Sequence, residues 1–145
     1  MVFMKKKDLI FSLLAMLGLV CVGGWHFISQ NQAQAVKAEA RKTFIQSSRP
    51  TIFFHGWGSS SRAERHMANA AKNAGVTQTI IEAKVAEDGT VTLKGTIPKD
   101  AVNPIVLVNF DNNRGASTQD QGNYAYAVVK ALQDTYGITE MNMVA

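Results

Sequence analysis

From residue 50 onward the chain alternates between two kinds of hydrophobic pattern. The run TIFFH, Thr51–His55, is β-branched or aromatic up to its last position, is entered after Pro50 and ends at Gly56. A continuous apolar run of this length reads as a strand buried on both faces. SRAERHMANAAKNAG then places Ala63, Met67, Ala70, Ala71 and Ala74 at helical spacing, with Ser60 or Ser61 as N-cap and Gly75 as the stop. TQTIIEAKVAEDGTVTLKGTI alternates apolar and polar residues on both sides of Asp88-Gly89, which predicts a β-hairpin. NPIVLVNF, Asn103–Phe110, is a second near-continuous apolar run and predicts a central parallel strand. After the polar loop DNNRGAS, a helical face of Tyr124, Ala127, Val128, Ala131, Leu132 and Tyr136 runs to a stop at Gly137, and ITEMNMVA supplies a last strand.

The predicted order is β-α-hairpin-β-α-β. Parallel strands need crossover connections, so this order implies an α/β fold with three layers, a mostly parallel sheet between helices. Residues 1–49 have another character. Lys5, Lys6 and Lys7 precede an apolar run from Leu9 to Val22, with Trp25, Phe27 and Ile28 beyond it and Ala33-Gln34-Ala35 further on. A basic start, an apolar run and an A-x-A site form the grammar of a secretory signal peptide. Leu9–Ile28 is 20 residues, about enough to span a bilayer as an N-terminal apolar helix. Residues 1–35 are therefore expected to act as a signal peptide or a membrane anchor. Cleaved after Ala35 or retained, they place the remainder outside the cell, secreted or held at its surface by residues 9–28. Residues 36–49, polar and Ala/Gln-rich, are expected to be a tether with a helical turn or two around Val36–Phe44, and 50–145 the folded domain.

Net charge is +4 over the whole chain. The residues after Ala35 hold 12 Lys/Arg against 10 Asp/Glu, so much of the positive balance sits in the leader. No basic stripe interleaved with aromatics is present, which gives no support to nucleic acid as a partner. The single cysteine, Cys21, lies in the apolar run, where it reads as an ordinary apolar residue, and the exported part can form no internal disulfide.

In open α/β sheets, sites form beyond the carboxyl ends of strands. Three such ends can be located: His55-Gly56-Trp57-Gly58, Asp111-Asn112-Asn113, and the position after Ala145. The first has glycines that free backbone N–H groups to turn toward a bound oxyanion. The same four residues also fit a tight strand-to-helix turn with His55 packed beneath it. GASTQ, Gly115–Gln119, is the nearest approach to a G-x-S-x-G nucleophile turn, but it lies past its strand and Gln119 replaces the small last residue. Ser117 is expected to cap a helix, Ser59, Ser60 and Ser61 to serve turn and cap, His66 to lie on an exposed helix face, and His26 beside Trp25 to suit a membrane interface. No histidine pair has ligand spacing, so neither a metal nor another cofactor is expected.

PTIFFHGWGSSSRAERHMANAA, NPIVLVNFDNN and YGITEMNMVA together resemble the N-terminal half of serine α/β-hydrolases, closest to the lipase- or esterase-like cell-surface hydrolases of Gram-positive bacteria. The resemblance runs from about Pro50 to Ala145. It implies a partial α/β-hydrolase sandwich in which His55 and Gly56 belong to the oxyanion loop, with Gly58 completing its turn, and the N–H of Trp57 is one oxyanion donor. It further implies a strand, MNMVA, leading into a His-Ser-x-Gly nucleophile turn just after Ala145, with acid and histidine later, and a small ester as substrate. Nucleophile, acid and base are thus expected to be absent from these 145 residues, the chain to be truncated before the serine, and the chain alone to be inactive. Two other readings stand beside this one. The first is a non-catalytic, surface-tethered α/β binding module. The second is a small domain that holds a phosphate or carboxylate on the Gly56–Gly58 loop.

Overall fold

A computed structural model describes residues 28–36, 38, 39 and 43–145. The basic start, Cys21, Trp25, His26 and all but the last residue of the expected membrane helix lie outside the described residues. Among those described, no helix is long and apolar enough to cross a membrane. Residues 28–36 are helical (α1) and exposed throughout, so helix begins well before the expected turn around Val36. The Ala- and Gln-rich composition there favours helix intrinsically.

The folded part contains β1 (Thr51–Phe53), α2 (Arg62–Asn73), β2 (Ile80–Val85), β3 (Val91–Lys94), β4 (Ile105–Phe110), α3 (Thr118–Tyr136) and β5 (Asn142–Val144). This is the element order expected from the hydrophobic pattern. The sheet order is β3-β2-β4-β1-β5. Only the β2–β3 hairpin is antiparallel, and β2–β4, β4–β1 and β1–β5 are all parallel.

That order explains the layers. The chain leaves β1 and crosses to β2 on one side, then leaves β4 and crosses to β5 on the other. Right-handed crossovers running in opposite directions put their helices on opposite faces. Side-chain alternation along the strands agrees. Ile52, Ile81 and Val106, aligned across the sheet, pack with Val108 against Tyr124, Val128 and Leu132 of α3. Phe53, Ile80, Ile105 and Leu107 point the other way and pack with Ala68 and Ala71 of α2. Val128 and Leu132 are fully buried, worth about 1.5–3 kcal/mol each on removal from water.

The α2 face differs from the expected one. Met67 is 55% exposed and Ala63 and Ala70 face solvent, while Ala68 is buried. Small residues at 68 and 71 let the helix lie close on β4, and the long Met67 side chain is turned outward. Ser61 stands at the N-cap of α2 but its side chain caps nothing. Its hydroxyl donates instead to Glu82 Oε2, 3.3 Å away. The start of α3 behaves as expected. Ser117 and Asp120 form a reciprocal capping box, and Gly137 at φ 67° closes the helix in the left-handed conformation that glycine adopts without strain.

The segment before β1 is not all tether. Asn103 (φ 47°) fastens it to the domain. Its side-chain oxygen accepts from Ser47 N–H at 3.0 Å, its amide nitrogen donates to the carbonyls of Ile45 (3.1 Å) and Val76 (3.2 Å), and its own N–H donates to Ser47 O at 2.7 Å.

Candidate functional site

The loop after β1 is built around His55, which is 7% exposed. The N–H of Phe110, at the end of β4, donates to His55 Nε2 at 3.0 Å. Nε2 must then present its lone pair, so the ring proton sits on Nδ1, which lies 3.0 Å from Gly56 O and donates to it. The ring also meets Phe110 edge-on, with centroids 5.2 Å apart. Nε2 thus ties the end of β1 to the end of β4, and Nδ1 holds the backbone of the loop that follows.

Gly56 O receives a second donor, Ser59 N–H at 3.1 Å, which closes a turn over Gly56–Ser59. Gly58 has φ +70°, and its N–H donates to Asn113 O at 3.1 Å. Asn113 returns a bond from its side-chain amide to Ser59 O. Trp57, at the tip, is 73% exposed. Its indole N–H reaches Arg114 O at 3.4 Å, and the Arg114 guanidinium carbon lies 5.5 Å from the indole centroid. The backbone N–H of Trp57 has no acceptor among the described residues.

Polar groups around this loop are mostly paired. Asp111 is held by Lys84 at 3.0 Å, and Asn109 Oδ1 accepts from Ser61 N–H at 3.2 Å. Glu82 sits at the centre of a network, with Arg65 at 2.6 Å, Lys94 at 3.9 Å and the Ser61 hydroxyl. One oxygen of Glu64 on α2 is sealed from solvent without a donor among the described residues.

The loops after β1 and β4 therefore come together as one site, and β5 joins them. Val144 pairs with Phe53, and Phe54 N–H donates to Val144 O at 2.8 Å. Ala145 thus emerges beside the start of the His55–Gly58 loop. Ser117 is 3.1 Å from the Asp120 N–H that it caps, and so belongs to α3 and not to a nucleophile turn. His66 is exposed on α2. Asn113 belongs to the strand end Asp111-Asn112-Asn113 expected from the sequence, whereas Asn109, inside the apolar run, and Arg114, just past it, carry no signal of their own, because their partners lie some fifty residues away. Three concavities of about 360, 560 and 550 Å³ lie at the opposite end of the sheet, around Val76, Tyr136 and Ile45. None touches the His55–Gly58 loop. No three His, Cys, Asp or Glu side chains among the described residues are grouped to hold a metal.

Comparison with known proteins bears on this arrangement. The product of the Listeria innocua gene lin2722 superposes with a TM-score of 0.62 at 26% identity, over 67% of this chain and 38% of its own. A "putative cell surface hydrolase" of Lactobacillus plantarum superposes at 0.50 with 25% identity, over 61% of this chain and 36% of its own. The chain thus spans little more than a third of the length of these solved relatives. No curated protein matches it. A family model described as an alpha/beta hydrolase of unknown function (DUF915) matches residues 38–145. With three parallel strand ends converging on a histidine-glycine loop in the fold that the model describes, the chain belongs to this α/β-hydrolase family.

Proposed function

We propose that residues 50–145 are the oxyanion-loop half of a cell-surface serine hydrolase acting on small carboxylic esters, with the N-terminal segment serving export or membrane anchoring. The observation that carries this reading is the convergence of β5 and the His55–Gly58 loop. A nucleophile on a turn following Ala145 would emerge beside the free N–H of Trp57. An oxyanion hole is a set of fixed donors near the position where negative charge develops. His55 supports it by locking the loop to β4, and Gly58 by allowing the turn; neither transfers a proton in this arrangement.

On this reading the 145 residues taken alone lack the chemistry. Ser117 is a helix cap, His55 is used structurally and His66 lies on an outer helix face. Removal of a nucleophile, base and acid leaves only the residual effect of binding and oxyanion donors. Purified chain treated with a fluorophosphonate should take up no stoichiometric label, and stoichiometric labelling would sink the inactive-chain reading. The family reading is tested separately by the transcript beyond codon 145, where a frame encoding His-Ser-x-Gly and later Asp and His is expected.

Coverage of both sheet faces by α2 and α3 favours a second reading, a surface-tethered binding module that folds without further segments. It requires a cooperative thermal transition and a monomer in residues 36–145. A molten or aggregated product counts against it.

A further inference from the structure

β1 and β4 lie side by side, and the connections leaving them run to opposite faces of the sheet. Their carboxyl ends therefore flank the crevice in which open α/β sheets bind ligands. Beside those ends, exposed on the loop after β4, stands a cation, Arg114, without a counter-charge among the described residues. The Arg114 guanidinium makes no ion pair and donates no hydrogen bond among the described residues. Carboxylates on the elements around this end of the sheet are committed elsewhere: Asp111 to Lys84, Glu82 to Arg65, and Asp120 to the capping box with Ser117.

The Arg114 side chain is nonetheless positioned. It lies over the Trp57 ring at 5.5 Å, and the indole N–H is directed at its carbonyl. It also rests against Gly58, where an added Cβ would come within 3.2 Å of Arg114 Nε. An aromatic ring occupies the face of a guanidinium and leaves its in-plane N–H groups available. Those groups match the paired oxygens of a carboxylate or phosphate.

We propose that Arg114, mounted on Trp57, recognises an oxyanion, a carboxylate or a phosphate, carried by the ligand next to the Gly56–Gly58 loop. On the hydrolase reading above, on which the substrate class rests, the site takes esters of anionic molecules. Arg114 is then a specificity residue that is separate from the oxyanion hole at Trp57 N–H.

The test is a titration of the ¹⁵N-labelled full chain with sodium phosphate and, in parallel, sodium acetate, at ionic strength held constant with chloride. The resonances followed are Arg114 Nε–H, the Trp57 indole N–H and the Trp57 backbone amide. Saturable displacement of the first two is expected, weakened about tenfold in Arg114→Gln and less in Arg114→Lys, as loss of one charge-assisted contact implies. The tighter of the two anions identifies the oxyanion class. Unchanged resonances elsewhere in Arg114→Gln establish that the variant is folded. Displacement that stays linear in concentration, or that is unaltered in Arg114→Gln, overturns the proposal. Saturable movement confined to the Trp57 amide and surviving Arg114→Gln supports the oxyanion loop while overturning the role of Arg114. Arg114-dependent binding with a still Trp57 amide upholds the anion site and counts against the oxyanion donor.

Discussion

At the scale of single residues, His55 shows why a residue type in the right place does not define its role. A histidine ending a buried strand before glycine fits both an oxyanion-loop motif and a packed turn, and the two readings are the same four letters. What the ring itself does depends on Phe110 N–H, contributed by a strand more than fifty residues away. Replacing His55 with Ala leaves that N–H without its acceptor under a packed aromatic contact. The expected loss of stability is about 2 kcal/mol, the usual cost of a stranded buried polar group, read from the denaturant midpoint at unchanged slope. Gly58 is the complementary case. Its φ of +70° disfavours any side chain, and a Cβ there would crowd Arg114 Nε. Gly58→Ala should cost about 1–2 kcal/mol and also change Trp57 fluorescence, because the Arg114 guanidinium beside the indole must shift to make room for the Cβ.

At the scale of elements, strands, helices and the hairpin were legible from periodicity, and their exact faces less so. α3 buries the expected Tyr124, Val128 and Leu132 because large apolar residues define its stripe. In α2 nearly every candidate for the buried face is alanine, so the pattern held too little contrast to show that Ala68 and not Met67 meets the sheet. The Asn103 clamp was invisible for a related reason: its hydrogen bonds reach Ile45, Ser47 and Val76, none of which marks itself. Asn103→Ala removes these side-chain bonds and places a β-carbon residue at φ 47°, so a loss of about 2–3 kcal/mol is expected. Asn103→Gly should lose less, since glycine tolerates the conformation, and the difference between the two midpoints isolates the backbone part. A second link in this region joins Arg49, before β1, to Glu140, before β5, at 2.6 Å. The hydrogen bond and then the charge of Arg49 hold the Glu140 carboxyl below its ordinary value. Its contribution is therefore present above the unfolded carboxylate range and lost as pH falls through the lowered folded value. In Arg49→Gln the Glu140 titration followed by NMR should move up toward that of a free glutamate.

At the scale of the whole molecule, the two edges of the sheet are unlike, and the difference has a consequence. The strand order itself could not be read along the chain, because neither apolar run states its neighbours; β1 lies between β4 and β5 only through contacts distant in sequence. Once the order is known, β3 forms one edge. There half-buried Val91 and Leu93 alternate with exposed Thr92 and Lys94, and an exposed lysine is one of the usual protections of a strand edge. β5 forms the other edge. All three of its residues are exposed, Met143 at 58% and Val144 at 43%, and it carries no charge of its own. Its outer backbone groups are a template for another strand, while its inner ones are paired to β1. The 145-residue chain should therefore self-associate through β5. Met143→Lys places a charge on that edge while leaving the backbone pairing of β5 with β1 in place, and should shift the chain toward monomer in sedimentation velocity at the same concentration. Thr92→Lys on the β3 edge is the control and should leave the distribution unchanged. Equal effects from both substitutions would mean that net charge, and not the β5 edge, governs association.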